Sequence, residues 1–265
     1  MYLHHPLNSS RLVVLLQQWA RQDGERPGQS PAPPGDTDVA EQLAQWLGTV
    51  DAVKLSRALH AIETLPSEAG ALANLEVVDL PALDRLVEKT KADLHALVTA
   101  KVAAPKPLRA RADNTPVQAP DPQVETDYAA HGPRYLDLQK QIDTRLLAMR
   151  VQVRHALALG SSGLRQLAAL DAVMEQMLGA REQRLWASLS GHLERRLVLR
   201  HHKHLQTLQN SGVADEPLRW RQPGGWLLAF EQDLQALLIA ELQVRLLPIT
   251  GLLEAAHHEK TGRQE

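Results

Sequence analysis

The sequence predicts an all-α protein, and two observations carry that expectation. Ala, Leu, Gln and Arg dominate a 265-residue chain in which Phe occurs once and Tyr three times, so helix formers abound and strand material is scarce. Apolar residues recur at steps of three and four through every long segment, a spacing that lines one helix face and that strands could not satisfy. Two stretches interrupt this rhythm, 23–37 and 104–123, both rich in Pro and poor in large apolar groups. Such segments bury too little surface to offset their ordering entropy and are expected to be mobile.

Four helices are expected before the second stretch. SSRLVVLLQQWA aligns Leu12, Leu15, Leu16 and Trp19 behind a Ser9 or Ser10 cap. In DVAEQLAQWLG, Asp38 and Glu41 have capping-box spacing and Gly48 is a stop signal. DAVKLSRALHAIETLP lines up Leu55, Leu59 and Ile62 ahead of Pro66. The fourth begins at an Asp79 cap and carries Leu83, Leu86, Val87, Leu94, Leu97 and Val98. These elements define an N-terminal helical part, residues 1–103, containing the Pro-rich loop 23–37, followed by a disordered linker at 104–126.

A longer rhythm fills residues 127–259, before a short tail at 260–265. From GPRYLDLQ, with Pro133 suited to a first helical turn, Tyr135, Leu138, Ile142, Leu146, Met149, Val153 and Leu157 form one stripe. GSSG at 160–163 reads as a tight reversal. A helix of about 45 residues, close to 70 Å, follows if Gly179 and Gly191 do not break it. NSGVADEP ends it, and GWLLAFEQDLQALLIAELQVRLLPITGLLEAAHH opens after PGG with a bend expected at Pro248. The wide apolar face of this last helix predicts a three-helix bundle built on a long antiparallel hairpin.

Composition removes several function classes. The absence of cysteine excludes disulfides, thiolate zinc sites, iron–sulfur clusters and a cysteine nucleophile. No basic n-region opens the chain, and no apolar run reaches the roughly 20 residues of a membrane helix, so the expectation is a cytoplasmic protein without direct membrane insertion. Net charge is −2, yet residues 127–210 hold 12 Lys and Arg against 7 Asp and Glu, a local excess that suits a partner or neutralisation within the fold.

The candidates for chemistry are few. LRHHKHLQ places His201, His202 and His204 in one helical turn; His201 and His204, about 60° apart, could share a metal, whereas His202 points away. Arg200 and Lys203 beside them oppose a cation, and the expected role is a charge cluster complementing the carbonyl end of the helix, exposed near the hairpin's far tip. Glu254 and His257 have the spacing of a di-iron motif without its second copy. Arg145, Arg150, Arg154, Arg165, Arg181, Arg184, Arg195, Arg196 and Arg200 could track phosphates, with Arg195, Arg196, Arg200 and Lys203 as the basic face; a solvated flank or a face docked on the acidic N-terminal part explains them as well. GSSG is not a nucleophile elbow, and no phosphate loop occurs. Trp19, Trp46, Trp186, Trp220 and Trp226 are expected in the core or at subunit contacts.

The segments SSRLVVLLQQWA, EQLAQWLGTVDAVKLSRALHA and GGWLLAFEQDLQALLIAELQVRLLPITGLLEA resemble an uncharacterised all-helical family of beta-proteobacterial proteins, a domain of unknown function, over most of the chain outside the Pro-rich stretches. The resemblance implies no catalytic residues. It implies genomic company with membrane proteins similar to flagellar stator subunits and to peptidoglycan-binding domains, which suits a soluble accessory subunit of an envelope-associated complex.

From the residues themselves the expected function is a non-enzymatic helical scaffold, without cofactor, that binds another protein or a second copy. Leu185, Leu189, Leu193 and Leu197 on the long helix, which outreaches its hairpin partner, are the expected contact. Nucleic-acid binding through the Arg-rich face of residues 145–204 is the rival, and metal binding at His201 and His204 a third reading.

Overall fold

The computed structural model describes residues 10–22, 48–64, 78–100 and 122–262, and among them it contains helices and no strand. In chain order the α-helices are α1 (Arg11–Gln22), α2 (Thr49–Glu63), α3 (Leu80–Thr99), α4 (Gly132–Ala158), α5 (Ser162–Ser211) and α6 (Trp226–Gly262). The expected helix at 38–48, Trp46 and the two Pro-rich stretches lie outside the described residues, apart from the last residues of the linker; there, short 3-10 turns at Pro122–Thr126 and Tyr128–Ala130 lead into α4.

Local signals set the helix boundaries. Ser10 Oγ accepts from the Val13 amide at 3.3 Å, and Asp79 Oδ1 from the Ala82 amide at 2.9 Å, so each cap satisfies a donor the first turn leaves orphaned. Gly48, expected to stop a preceding helix, is the N-cap of α2, and its amide donates to Asp51 Oδ2 at 3.3 Å. GSSG does reverse the chain: Ser161 Oγ accepts from the Leu164 amide at 3.2 Å and opens α5. A Cβ on Gly160 would lie 2.8 Å from Val78 Cγ2 and 2.9 Å from Leu164 Cδ1, so this turn admits only glycine without displacement.

α5 runs unbroken for 50 residues, about 75 Å, through both Gly179 and Gly191. A Cβ at either glycine would meet nothing within 4 Å, so neither marks a close approach. α6 runs antiparallel beside it for nearly its whole length: Asp233 meets Arg196, Arg245 lies over the Trp186 ring, and Glu259 meets Ser161. α4 joins them as the third helix and buries the whole predicted stripe from Tyr135 to Leu157. Pro248 sits inside α6, which continues to Gly262, three residues into the expected tail.

The described N-terminal helices pack on this bundle. Leu12 and Trp19 of α1, and Leu80, Val87, Leu94 and Val98 of α3, belong to the same hydrophobic core as the long helices. α3 is tied to α6 by Asp84 and His257, 3.0 Å apart. The described side chains of α2 add no buried residue to that core; the helix lies along α5, held by Asp51 with Arg181 at 2.5 Å and by the Ile62 carbonyl with Gln166 at 3.4 Å.

α6 is long and apolar enough to cross a membrane by length and composition alone, although half of that apolar window is buried inside the protein. Its hydrophobicity follows from its position: it touches α1, α3, α4 and α5, so most of its circumference is core.

Candidate functional site

His201, His202 and His204 sit where α5 outreaches α4. From Gly212, whose φ of 65° provides a left-handed C-cap, the chain turns through Pro217–Arg219 and returns at Trp226. Trp220 and Trp226 fold inward, 5% and 6% exposed, with ring centroids 5.3 Å apart. His201 lies 5.0 Å from the Trp226 ring, and His204 6.1 Å from it and 6.4 Å from Trp220. Asp215 fixes the arrangement, accepting from Trp220 Nε1 at 2.8 Å and standing 3.0 Å from His204 Nε2. Gly225 lies so close to this turn that a Cβ would be 2.2 Å from the Trp220 carbonyl oxygen.

The exposed charge cluster expected at this point is therefore corrected. His201 and His204 are half-buried ring partners of two tryptophans; the loop returns over them instead of leaving a free helix end. Burial lowers the His201 pKa, His204 lowers it further, and Asp215 opposes them. Asp215 is itself partly buried, which raises its pKa, but its hydrogen bonds with Trp220 and His204 outweigh that and hold it below the usual carboxylate value. Among the described residues no three His, Asp or Glu side chains converge as metal ligands. His257, the other candidate, is committed to Asp84, and its neighbour Glu254 is exposed.

The arginines separate into two groups. Arg196, 3% exposed in its side chain, donates from Nε to Asp233 at 2.9 Å and from Nη2 to Gln22 at 2.7 Å, with its guanidinium 5.3 Å from the Trp19 ring. Arg200 grips the same Asp233 with Nε at 2.8 Å and Nη2 at 3.0 Å. Arg150 and Arg154 bind Asp171 and Glu175 across the hairpin. Lys203 lies 3.4 Å from the Gln22 carbonyl oxygen, and Arg195 stays exposed, 3.0 Å from His192. Among the described residues these partner carboxylates are Asp171 and Glu175 of α5, Asp233 of α6 and, for Arg181, Asp51 of α2.

A second polar cluster was not anticipated. Glu241, fully buried on α6, lies 2.6 Å from Arg245 Nη2, 3.0 Å from Gln139 Nε2 and 3.2 Å from the Tyr135 hydroxyl, which donates to it. Arg245 also donates to Asp143 at 3.0 Å, and its guanidinium sits 4.7 Å from the Trp186 ring. Burial raises the Glu241 pKa against the pull of Arg245 and these hydrogen bonds, and burial likewise raises that of Tyr135. Beside this cluster a slot of about 180 Å³ opens between α4 and α5, lined by Leu147, Gly179, Glu182, Trp186 and Pro248 among others. The available sequence signal was a carboxylate and a guanidinium at i, i+4 inside the most apolar helix of the chain, where a charge needs a buried partner.

The predicted contact leucines divide. Leu189, Leu193 and Leu197 are 5%, 0% and 1% exposed, covered within the chain, whereas Leu185 is 46% exposed. The outward apolar residues at the far end are different ones: Leu218, 88% exposed at the apex of the turn, and Val213, 55% exposed. A cleft of about 490 Å³ beside them is lined by His204, Leu208, Val213, Asp215, Arg219 and Trp220 among others. An apolar tip on a turn braced by buried tryptophans is suited to contact, since the anchored turn has little backbone freedom left to lose on binding.

Comparison with known proteins adds a family and no function. No curated protein matches the chain, and no solved structure matches it. Residues 2–258 match the family model described as a protein of unknown function (DUF3348), and the chain belongs to that family.

Proposed function

We propose that this protein is a non-enzymatic helical scaffold that binds another protein through the far end of its bundle, at the turn carrying Leu218 and the adjoining cleft. The observation that carries the reading is Leu218 itself, nearly fully exposed on a turn held by Asp215, Trp220 and the close approach of Gly225. The disposition of charge supports it. Arg150, Arg154, Arg181, Arg196 and Arg200 meet carboxylates of the same chain, which removes much of the basic face on which phosphate binding would depend. The rings of His201 and His204 brace the turn in this reading and hold no metal.

The test is affinity purification of the full chain from both soluble and membrane fractions of its host, with the wild type beside Leu218→Asp and Val213→Asp. A partner retained by the wild type and lost from both variants, at unchanged melting temperature, supports the site. An envelope protein as that partner would match the genomic company implied by the family resemblance. Equal recovery with both variants refutes the site, and steeply salt-dependent binding to a generic duplex, lost in an Arg195→Ala, Lys203→Ala variant, would favour nucleic acid instead.

A further inference from the structure

α4 carries a second apolar stripe opposite the one it buries. Leu136, Leu147 and Val151 are 51%, 50% and 47% exposed. At 3.6 residues per turn they fall within about 60° of one another around the helix. Lys140, Thr144 and Ala158, all exposed, continue the same stripe. No described helix covers this face, while Tyr135, Ile142, Met149 and Val153 fill the core from the other side.

We propose that two copies of the chain pair through this stripe, antiparallel, about a two-fold axis passing beside Thr144. The inference rests on the scaffold reading and assigns a different surface, with a second copy as its occupant. The stripe is complementary to itself when reversed about its own midpoint, between Asp143 and Thr144. Leu136 of each copy then faces Val151 of the other, and Lys140 faces Leu147. The aliphatic stem of Lys140 covers that leucine, and its ammonium comes within one helical turn of Asp143 of the second copy, whose side chain is 47% exposed. Symmetry repeats each contact. A parallel pairing would set Lys140 against Lys140, so charge selects the antiparallel arrangement. Thr144 and Ala148 are small and let the two helices approach at the crossing.

The available area sets the strength of the contact. α4 has 27 residues and is about 40 Å long. A stripe roughly 10 Å wide then buries on the order of 400 Å² per copy, about half of what a standard interface buries. The pair is therefore a weak one, formed and lost with concentration.

The chain has no cysteine, so Thr144→Cys places a single thiol beside the axis. Under mild oxidation of the full chain at several concentrations, this variant should form a disulfide-linked dimer about tenfold faster than Gln206→Cys, an exposed site on α5 away from the stripe, because pairing raises the local thiol concentration. Adding Leu147→Glu or, separately, Lys140→Glu should remove that advantage; both positions are exposed, and circular dichroism confirms that the variants fold. Sedimentation of the wild type should show a monomer–dimer equilibrium that Leu147→Glu shifts to monomer. Equal rates at the two thiols, or a wild type that stays monomeric at every soluble concentration, overturns the proposal. A monomer that still captures a partner dependent on Leu218 overturns only the self-pairing and leaves the scaffold function standing; a dimer that forms in the absence of any such partner does the reverse.

Discussion

Replacing Glu241 tests the physical account of the bundle at its most demanding point. The carboxylate is fully buried and serves Arg245, Gln139 and Tyr135, three groups with little access to water. Glu241→Leu would leave the guanidinium of Arg245, 7% exposed in its side chain, with only Asp143 and the Trp186 ring. Breaking a buried pair from one side costs about 3–5 kcal/mol, because the remaining charge keeps its desolvation penalty without its partner. At roughly 2–4 °C per kcal/mol for a chain of this size, the melting temperature should fall by about 6–20 °C. Urea unfolding followed by circular dichroism measures the loss directly. Glu241→Leu combined with Arg245→Met should recover most of it, since removing both charges removes both penalties.

The same residue fixes a sign with pH. Burial raises the Glu241 pKa above 4.5, so between that value and its folded pKa the folded state holds a proton that the unfolded state has released. Its favourable contribution is thus complete below pH 4.5 and is lost as pH rises through the folded pKa. Glu241→Gln cannot ionise, and its stability relative to the wild type should improve over that rise. A single Leu variant within about 1 kcal/mol of the wild type, or a double variant as damaged as the single, would refute the pairing argument.

Further substitutions separate buried from exposed roles. Arg196→Ala should cost about 1–3 kcal/mol in urea unfolding by removing one of the two guanidinium groups on Asp233, with Arg200 left as the other, and by baring the Trp19 ring, whereas Arg195→Ala should change stability by no more than about 0.5 kcal/mol. Gly179→Ala should stabilise by about 0.5–1 kcal/mol, because a Cβ there meets nothing and a helix interior favours alanine; Gly225→Ala should instead disturb the turn and alter tryptophan fluorescence. His201 protonates below its usual range in the folded state, so stability should fall as pH drops from about 6.5 through that lowered value, and His201→Phe should remove this dependence in thermal melts. Zinc should shift the melting temperature of the wild type no more than that of a His201→Gln, His204→Gln variant, since among the described residues no three His, Asp or Glu side chains converge as ligands and Asp215 is committed to Trp220 and His204.

The sequence by itself determined the helices, because their signals are local. Every member of the predicted α4 stripe is buried, Ser10 and Asp79 cap as their positions required, and the Ser162–Ser211 helix follows from an apolar period that two glycines, at about 1 kcal/mol each, could not interrupt. The tertiary structure decided which groups meet, because partnership joins positions that periodicity cannot relate. Arg196 and Arg200 read as a basic face until α6 brought Asp233 against both, 37 and 33 residues away. His201 and His204 read as a charged helix end until the chain returned with Trp220 and Trp226 above them. Leu189, Leu193 and Leu197 read as a docking seam because their spacing specified burial, and spacing carries no information on whether the cover comes from the same chain. Glu241 and Arg245 passed without notice for the converse reason: a charge within an apolar helix signals only the need for a partner, and Tyr135, Gln139 and Asp143 supply it from a helix about one hundred residues earlier.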